Sequence, residues 1–181
     1  MAQSLSQLFV HITFHVKSTS CQIKDEDSQS LYAYIGSILN DLESKPIIIN
    51  GMPDHIHIFC SLSKNIAAAK LIEDVKRHSS RWIKQLSDYY KNFSWQSGYG
   101  IFSVSPSLYD KTFNYIQNQK NHHKKASFKE ELLLFLKQYN IDMTSGICGQ
   151  IELRFQRANY TSACNPTCRA LILRALCVGL S

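Results

Sequence analysis

The chain has 181 residues, 44% of them hydrophobic, which is enough for one domain with its own core and too few for two full ones. A formal charge of +6 points to an anionic partner, although so modest an excess does not identify nucleic acid by itself. No stretch approaches the roughly 20 apolar residues of a membrane span, and the start "MAQSLSQLFVHITFHVK" lacks the basic, apolar and small-residue segments of a signal peptide. A cytoplasmic protein with no membrane partner is expected, and its six scattered cysteines then read as thiols rather than as a disulfide framework.

In "LSQLFVHITFHVK", Leu8, Val10, Ile12, Phe14 and Val16 alternate with Phe9, His11, Thr13 and His15, which predicts a first strand. "DSQSLYAYIGSILNDL" opens with capping residues and repeats apolar side chains at helical spacing through Leu31, Ile35, Ile38, Leu39 and Leu42, a first helix. "KPIIINGMPDHIHIFCSL" reads as two strands joined by an Asn-Gly-Met-Pro-Asp turn at residues 50–54. "KNIAAAKLIEDVKRHSSRWIKQL" is an amphipathic helix, with Ile72, Val75, Trp82, Ile83 and Leu86 on one stripe and Lys70, Arg77, Arg81 and Lys84 on another. "FSWQSGYGIFSVSPS" makes a fourth strand, and "SLYDKTFNYIQNQKNHHKK" and "SFKEELLLFLKQYNI" two further helices.

The order strand, helix, strand, strand, helix, strand predicts an α+β, ferredoxin-like (RRM-like) antiparallel sheet with helices on one face. In that arrangement the first and third strands are central neighbours. His11, Thr13 and His15 should therefore share an open sheet face with His55 and His57. Beyond residue 141 the composition changes: residues 1–141 carry fourteen Lys and two Arg, residues 142–181 four Arg and no Lys. One domain over 1–141 and an atypical tail over 142–181 are expected. Cys164 and Cys168 with Cys148 or Cys177 match no strong zinc spacing, and the tail is given no chemistry.

The His55-x-His57 pair occupies two same-face positions of a strand, so one face can be buried while the other offers two nitrogen ligands. Paired imidazoles on a sheet are also common as structural groups, and a metal needs a third ligand. Tyr115 and Gln119, four residues apart, bring a phenol and an amide oxygen to one face of a helix. The residues alone favour a plainer reading, with Tyr115 in the core beside Phe113 and Ile116 and Gln119 on the surface.

"MPDHIHIF", "VKRHSSRWIKQ", "FSWQSGYGIFSVS" and "YIQNQKNHHKKASFKEELLLFLKQYNI" occur in the order and spacing of the small single-tyrosine transposases of the HUH class, the IS200-like family with its REP-associated relatives. The resemblance covers roughly residues 5–141 and departs from the family at "DMTSGICGQ". It implies that His55, His57 and Gln119 hold Mg²⁺ or Mn²⁺ and that Tyr115 is the nucleophile of a 5′-phosphotyrosine intermediate. It further implies a substrate of single-stranded DNA with a hairpin, and a homodimer in which the tyrosine helix of one subunit completes the histidine site of the other.

Lys70, Arg77, Arg81 and Lys84 are expected to contact DNA, and Lys124 and Lys125, with His122 and His123, to meet phosphates or form a solvated basic end. Trp95, Tyr99 and Phe102 are candidates for base stacking, set against core positions. Two rivals remain at this level: a palindrome-processing nickase that no longer mobilises an element, and a non-catalytic RRM-like nucleic-acid-binding protein.

Overall fold

The computed structural model describes residues 5–119. Lys124, Lys125, His122, His123, the last predicted helix and the boundary between residues 141 and 142 lie outside them. The elements run β1 (Phe9–His15), α1 (Asp25–Asp41), β2 (Lys45–Met52), β3 (His55–Ser61), α2 (Ala68–Ile83), β4 (Gly100–Val104) and α3 (Tyr109–Gln117), with short 3-10 turns at Asp88–Tyr90 and Pro106–Leu108. The strands form one antiparallel sheet in the order β2-β3-β1-β4. This is the expected α+β arrangement, with β1 and β3 central.

Alternation decides what each face buries. Val10, Ile12 and Phe14 of β1 and Ile56, Ile58 and Cys60 of β3 enter the main core with Leu31, Ile35 and Leu39 of α1 and Leu71, Ile72 and Val75 of α2. Three acids in the first turn of α1, Asp25, Glu26 and Asp27, suit the positive end of the helix dipole. The fully buried Tyr90 ties that turn down: its hydroxyl donates to Asp27 Oδ2 at 2.7 Å and accepts from the Lys24 amide at 2.9 Å. Ser79, on the buried face of α2, accepts from Trp95 Nε1 at 2.9 Å, and the Trp95 ring meets Phe14 edge-on at 4.9 Å.

Two boundaries differ from the sequence reading. Asn50, Gly51 and Met52 belong to β2, so the turn is only Pro53-Asp54. A Cβ on Gly51 would run into the His55 carbonyl and lie 2.8 Å from the Ile56 Cα, so glycine there lets the strands close up just beside the histidines. Leu86, placed on the apolar stripe of the second helix, lies beyond its end and is 41% exposed.

The chain leaves α1 through Glu43, whose φ of 55° is the one positive value of a non-glycine residue among the described residues. The Ser44 amide donates to the Leu39 carbonyl and the Glu43 amide to the Asn40 carbonyl, closing the helix with a left-handed residue where glycine is usual. Asn65 Nδ2 donates to Glu43 Oε2 at 2.9 Å across an exposed gap. Glu43→Gly is expected to raise unfolding stability by up to about 1 kcal/mol, because relief of the left-handed strain exceeds one exposed hydrogen bond. Urea denaturation measures it. A loss of stability would show that the Asn65 contact outweighs the strain.

Candidate active site

The second face of the sheet is not open, as the sequence reading had it. α3 packs there on β2 and β3, and a small second core forms from Phe59, Val104 and Ile116 with Phe9, Leu108, Tyr109 and Tyr115 against it. The Tyr109 ring lies 5.2 Å from Phe9 and 5.1 Å from Phe59. These aromatic contacts explain why a nine-residue helix, too short to persist alone in water, forms at this position.

His11, Thr13, His15, His55 and His57 do share this face, and antiparallel pairing sets Thr13 opposite His57 and His15 opposite His55. His11, His55 and His57 are all but inaccessible to solvent. Such burial requires that each ring nitrogen be accounted for. His55 Nδ1 lies 2.7 Å from Asp54 Oδ1. Nδ1 therefore donates to the carboxylate, and in the neutral ring the lone pair lies on Nε2, which is buried.

His57 Nδ1 lies 2.9 Å from His11 Nε2. Burial pulls His11 down from its ordinary value to about 4, so it is neutral at pH 7, and one of the two facing nitrogens donates to the other. With the proton on His57 Nδ1, the His57 lone pair falls on Nε2, which is buried. Asp54 and His11 engage the Nδ1 atoms of the two rings, as second partners of metal-ligating histidines do.

Tyr115 brings a phenol to this face. Its ring stands perpendicular to His57 at 5.9 Å and at 70° to His11 at 6.2 Å, and its hydroxyl is buried. Both histidines belong to the same chain as the tyrosine. The exchange of tyrosine helices between subunits, implied by the resemblance, is therefore not needed to bring these groups together. Gln119 departs from the plainer sequence reading. It is fully buried rather than on the surface, and α3 ends at Gln117, so it stands past the Asn118 cap rather than on one unbroken helix with Tyr115. Its Oε1 is buried as well. Two imidazole nitrogens and an amide oxygen are donors that suit a divalent first-row cation or Mg²⁺.

The basic stripe of α2 is partly neutralised. Asp74, 7% exposed, forms ion pairs with both Arg77 and Lys70, the latter at 3.2 Å, and Lys70 also meets Glu73 at 3.4 Å. Arg81 and Lys84 are exposed and have no carboxylate within ion-pair distance among the described residues. Of the three stacking candidates, Trp95 and Phe102 are buried and Tyr99 is 45% exposed. Lys76, absent from the sequence reading, donates to the Gln96 and Gly98 carbonyls at 2.9 and 2.7 Å and lies 5.6 Å from the Tyr99 ring centre. It ties the segment before β4 to α2.

The family described as "Transposase IS200 like" matches residues 4–119, more than half of the chain. The chain belongs to the IS200-like transposase family. Its fold is similar to that of a candidate transposase from Deinococcus radiodurans R1, with a TM-score of 0.51 at 18% identity over 66% of this chain and 98% of that one. It is also similar to a REP-associated tyrosine transposase bound to a REP hairpin, with a TM-score of 0.50 at 17% identity over 71% of this chain and 77% of that one. No curated protein matches the chain. The transposase is thus an enzyme of DNA transposition, and none of its described helices is long and apolar enough to cross a membrane.

Proposed function

We propose that this transposase cleaves and rejoins single-stranded DNA at hairpin-bearing element ends through a 5′-phosphotyrosine on Tyr115, with a divalent cation held by His55, His57 and Gln119. The observation that carries the reading is the buried tyrosine hydroxyl on the face of two histidines whose Nδ1 atoms are both engaged. A phenol, with a reference pKa of about 10, is a poor nucleophile at neutral pH unless negative charge in the transition state is stabilised. Bound Mg²⁺ or Mn²⁺ supplies that stabilisation by polarising a phosphoryl oxygen.

The rest falls to the chain itself. Tyr115 oxygen forms a bond to phosphorus as the bond from phosphorus to the 3′-oxygen breaks, and the phenol proton ends on the departing 3′-oxygen. One phosphodiester replaces another of similar energy, so the step reverses without ATP. Asp54 and His11 hold the two imidazoles by their Nδ1 atoms throughout. Buried surroundings exclude the water that would otherwise compete with a 3′-hydroxyl for the phosphotyrosine.

Joining two ends calls for two such tyrosines, which favours a homodimer. The hairpin substrate draws support from the REP hairpin bound by the similar structure. Arg81 and Lys84 are the better candidates for the phosphate backbone, since Asp74 already engages Arg77 and Lys70.

The transposase is expected to bind a single-stranded hairpin more tightly than a blunt duplex of the same sequence. A double Arg77→Ala, Arg81→Ala change should lower the slope of log affinity against log salt by about 1 to 2 units, and by nearer 1 if Asp74 keeps Arg77 from phosphate. Fluorescence anisotropy across a salt series reads both. Equal affinity for the two DNAs, or an unchanged slope, would return the stripe to a solvated helix face.

A further inference from the structure

We infer that Asn50 is a positioning residue: its side chain latches the end of the tyrosine helix to the strand beside His57 and so sets where the Tyr115 hydroxyl stands. Asn50 Nδ2 donates to the Ile116 carbonyl at 2.8 Å and to the Gln117 carbonyl at 3.2 Å. These are the carbonyls of the last two residues of α3, directly after Tyr115, and one amide group has two hydrogens with which to meet them. In the β2–β3 pairing Asn50 lies opposite His57. One side chain therefore links the backbone of the tyrosine's neighbours to the strand position that faces a histidine of the site.

Geometry explains why this link matters more than its two hydrogen bonds would suggest. α3 has nine residues and depends on docking to stay folded. Its apolar contacts, Ile116 against Phe59 and Val104 and the Tyr109 ring between Phe9 and Phe59, are non-directional and tolerate small rotations and slides. Hydrogen bonds to two successive carbonyls at one end do not. They fix the helix along its axis and about it, and Tyr115 immediately precedes the first of those carbonyls. Gly51, the next residue, lets β2 and β3 approach closely at this point, so the latch is mounted on a strand that is itself held tightly. A displacement of about 1 Å at a reacting atom is worth about 100-fold in rate.

The inference rests on Tyr115 as the nucleophile, and the test separates the two. Asn50→Ala removes both donors, and Asn50→Asp keeps the shape while turning an oxygen toward the two carbonyls. Both are expected to slow formation of the covalent adduct with a hairpin oligonucleotide by about 10- to 100-fold, with hairpin Kd and Mn²⁺ affinity within twofold of the parent chain. Asn50→Ser, with one donor, should fall between and stands in if the other two fail to fold. Hydrogen exchange of the amides of residues 109–117 should quicken in Asn50→Ala while that of β1 and β3 stays unchanged.

An unchanged adduct rate in both variants overturns the latch and leaves the tyrosine reading intact. A fall in rate matched by an equal fall in hairpin or Mn²⁺ affinity also overturns it, since Asn50 would then serve the fold at large. If the parent chain forms no adduct, the tyrosine reading fails instead. Exchange then decides alone: faster exchange in α3 upholds the latch, and unchanged exchange overturns it.

Discussion

Tyr115→Phe is expected to abolish the covalent protein–DNA adduct while leaving the fold and hairpin binding in place. The substitution removes one oxygen. The ring that packs perpendicular to His57 and edge-on to His11 remains, as does its contact with the second core. Loss of a single buried hydroxyl changes stability by about 1 kcal/mol in either direction, too little to unfold the domain. Loss of the proposed nucleophilic oxygen is expected to remove the reaction. A 3′-labelled hairpin oligonucleotide incubated with Mg²⁺ and run on a denaturing gel should show a label retained by the parent chain and none by the variant. Label retained at the parent's level by Tyr115→Phe would sink the assignment of the nucleophile.

His57→Ala should eliminate strand cleavage and weaken Mn²⁺ binding by more than about 100-fold, since loss of an outer partner alone typically costs 10- to 100-fold. It should also destabilise the fold by about 2 kcal/mol or more, because the ring is fully buried and its removal leaves a cavity beside His11. The two effects are separable. A chelator added to the parent chain should abolish cleavage with no change to the apolar core, and calorimetric titration with Mn²⁺ reads affinity without any DNA present. Parent-like Mn²⁺ affinity in the folded His57→Ala chain would remove His57 from the ligand set.

Much of the architecture was legible because two periodicities carry it. Alternation placed His11, Thr13 and His15 of β1 and His55 and His57 of β3 on one face, and helical spacing found the buried stripe of α2. What alternation does not fix is register. A shift in the pairing of β1 with β3 would separate His11 from His57, so their hydrogen bond was invisible in one dimension. Asn50-Gly51 resembles a turn signal, yet pairing with β3 extends the strand through both, which hid Asn50 as a strand residue.

The plainer reading of Gln119 as a surface residue failed for a related reason. A glutamine read by type belongs on the surface, and only the packing of what surrounds it decides otherwise. The pairing of Asp74 with Lys70 and Arg77 was readable, being at i+4 and i−3 on one helix, and it lowers the weight of the stripe that was read as uniformly basic.

A tyrosine that stands over the histidines of its own chain has a consequence for inheritance. Were the site split between subunits, a defective copy of the gene would spoil sites in mixed dimers, and a chain lacking the tyrosine and another lacking a histidine could repair each other by pairing. On the proposed site, with Tyr115 acting beside the histidines of its own chain, neither follows. Under that proposal each intact polypeptide keeps an intact centre whatever it pairs with, so loss of the tyrosine is expected to be recessive in its chemistry and two differently damaged alleles are expected not to complement.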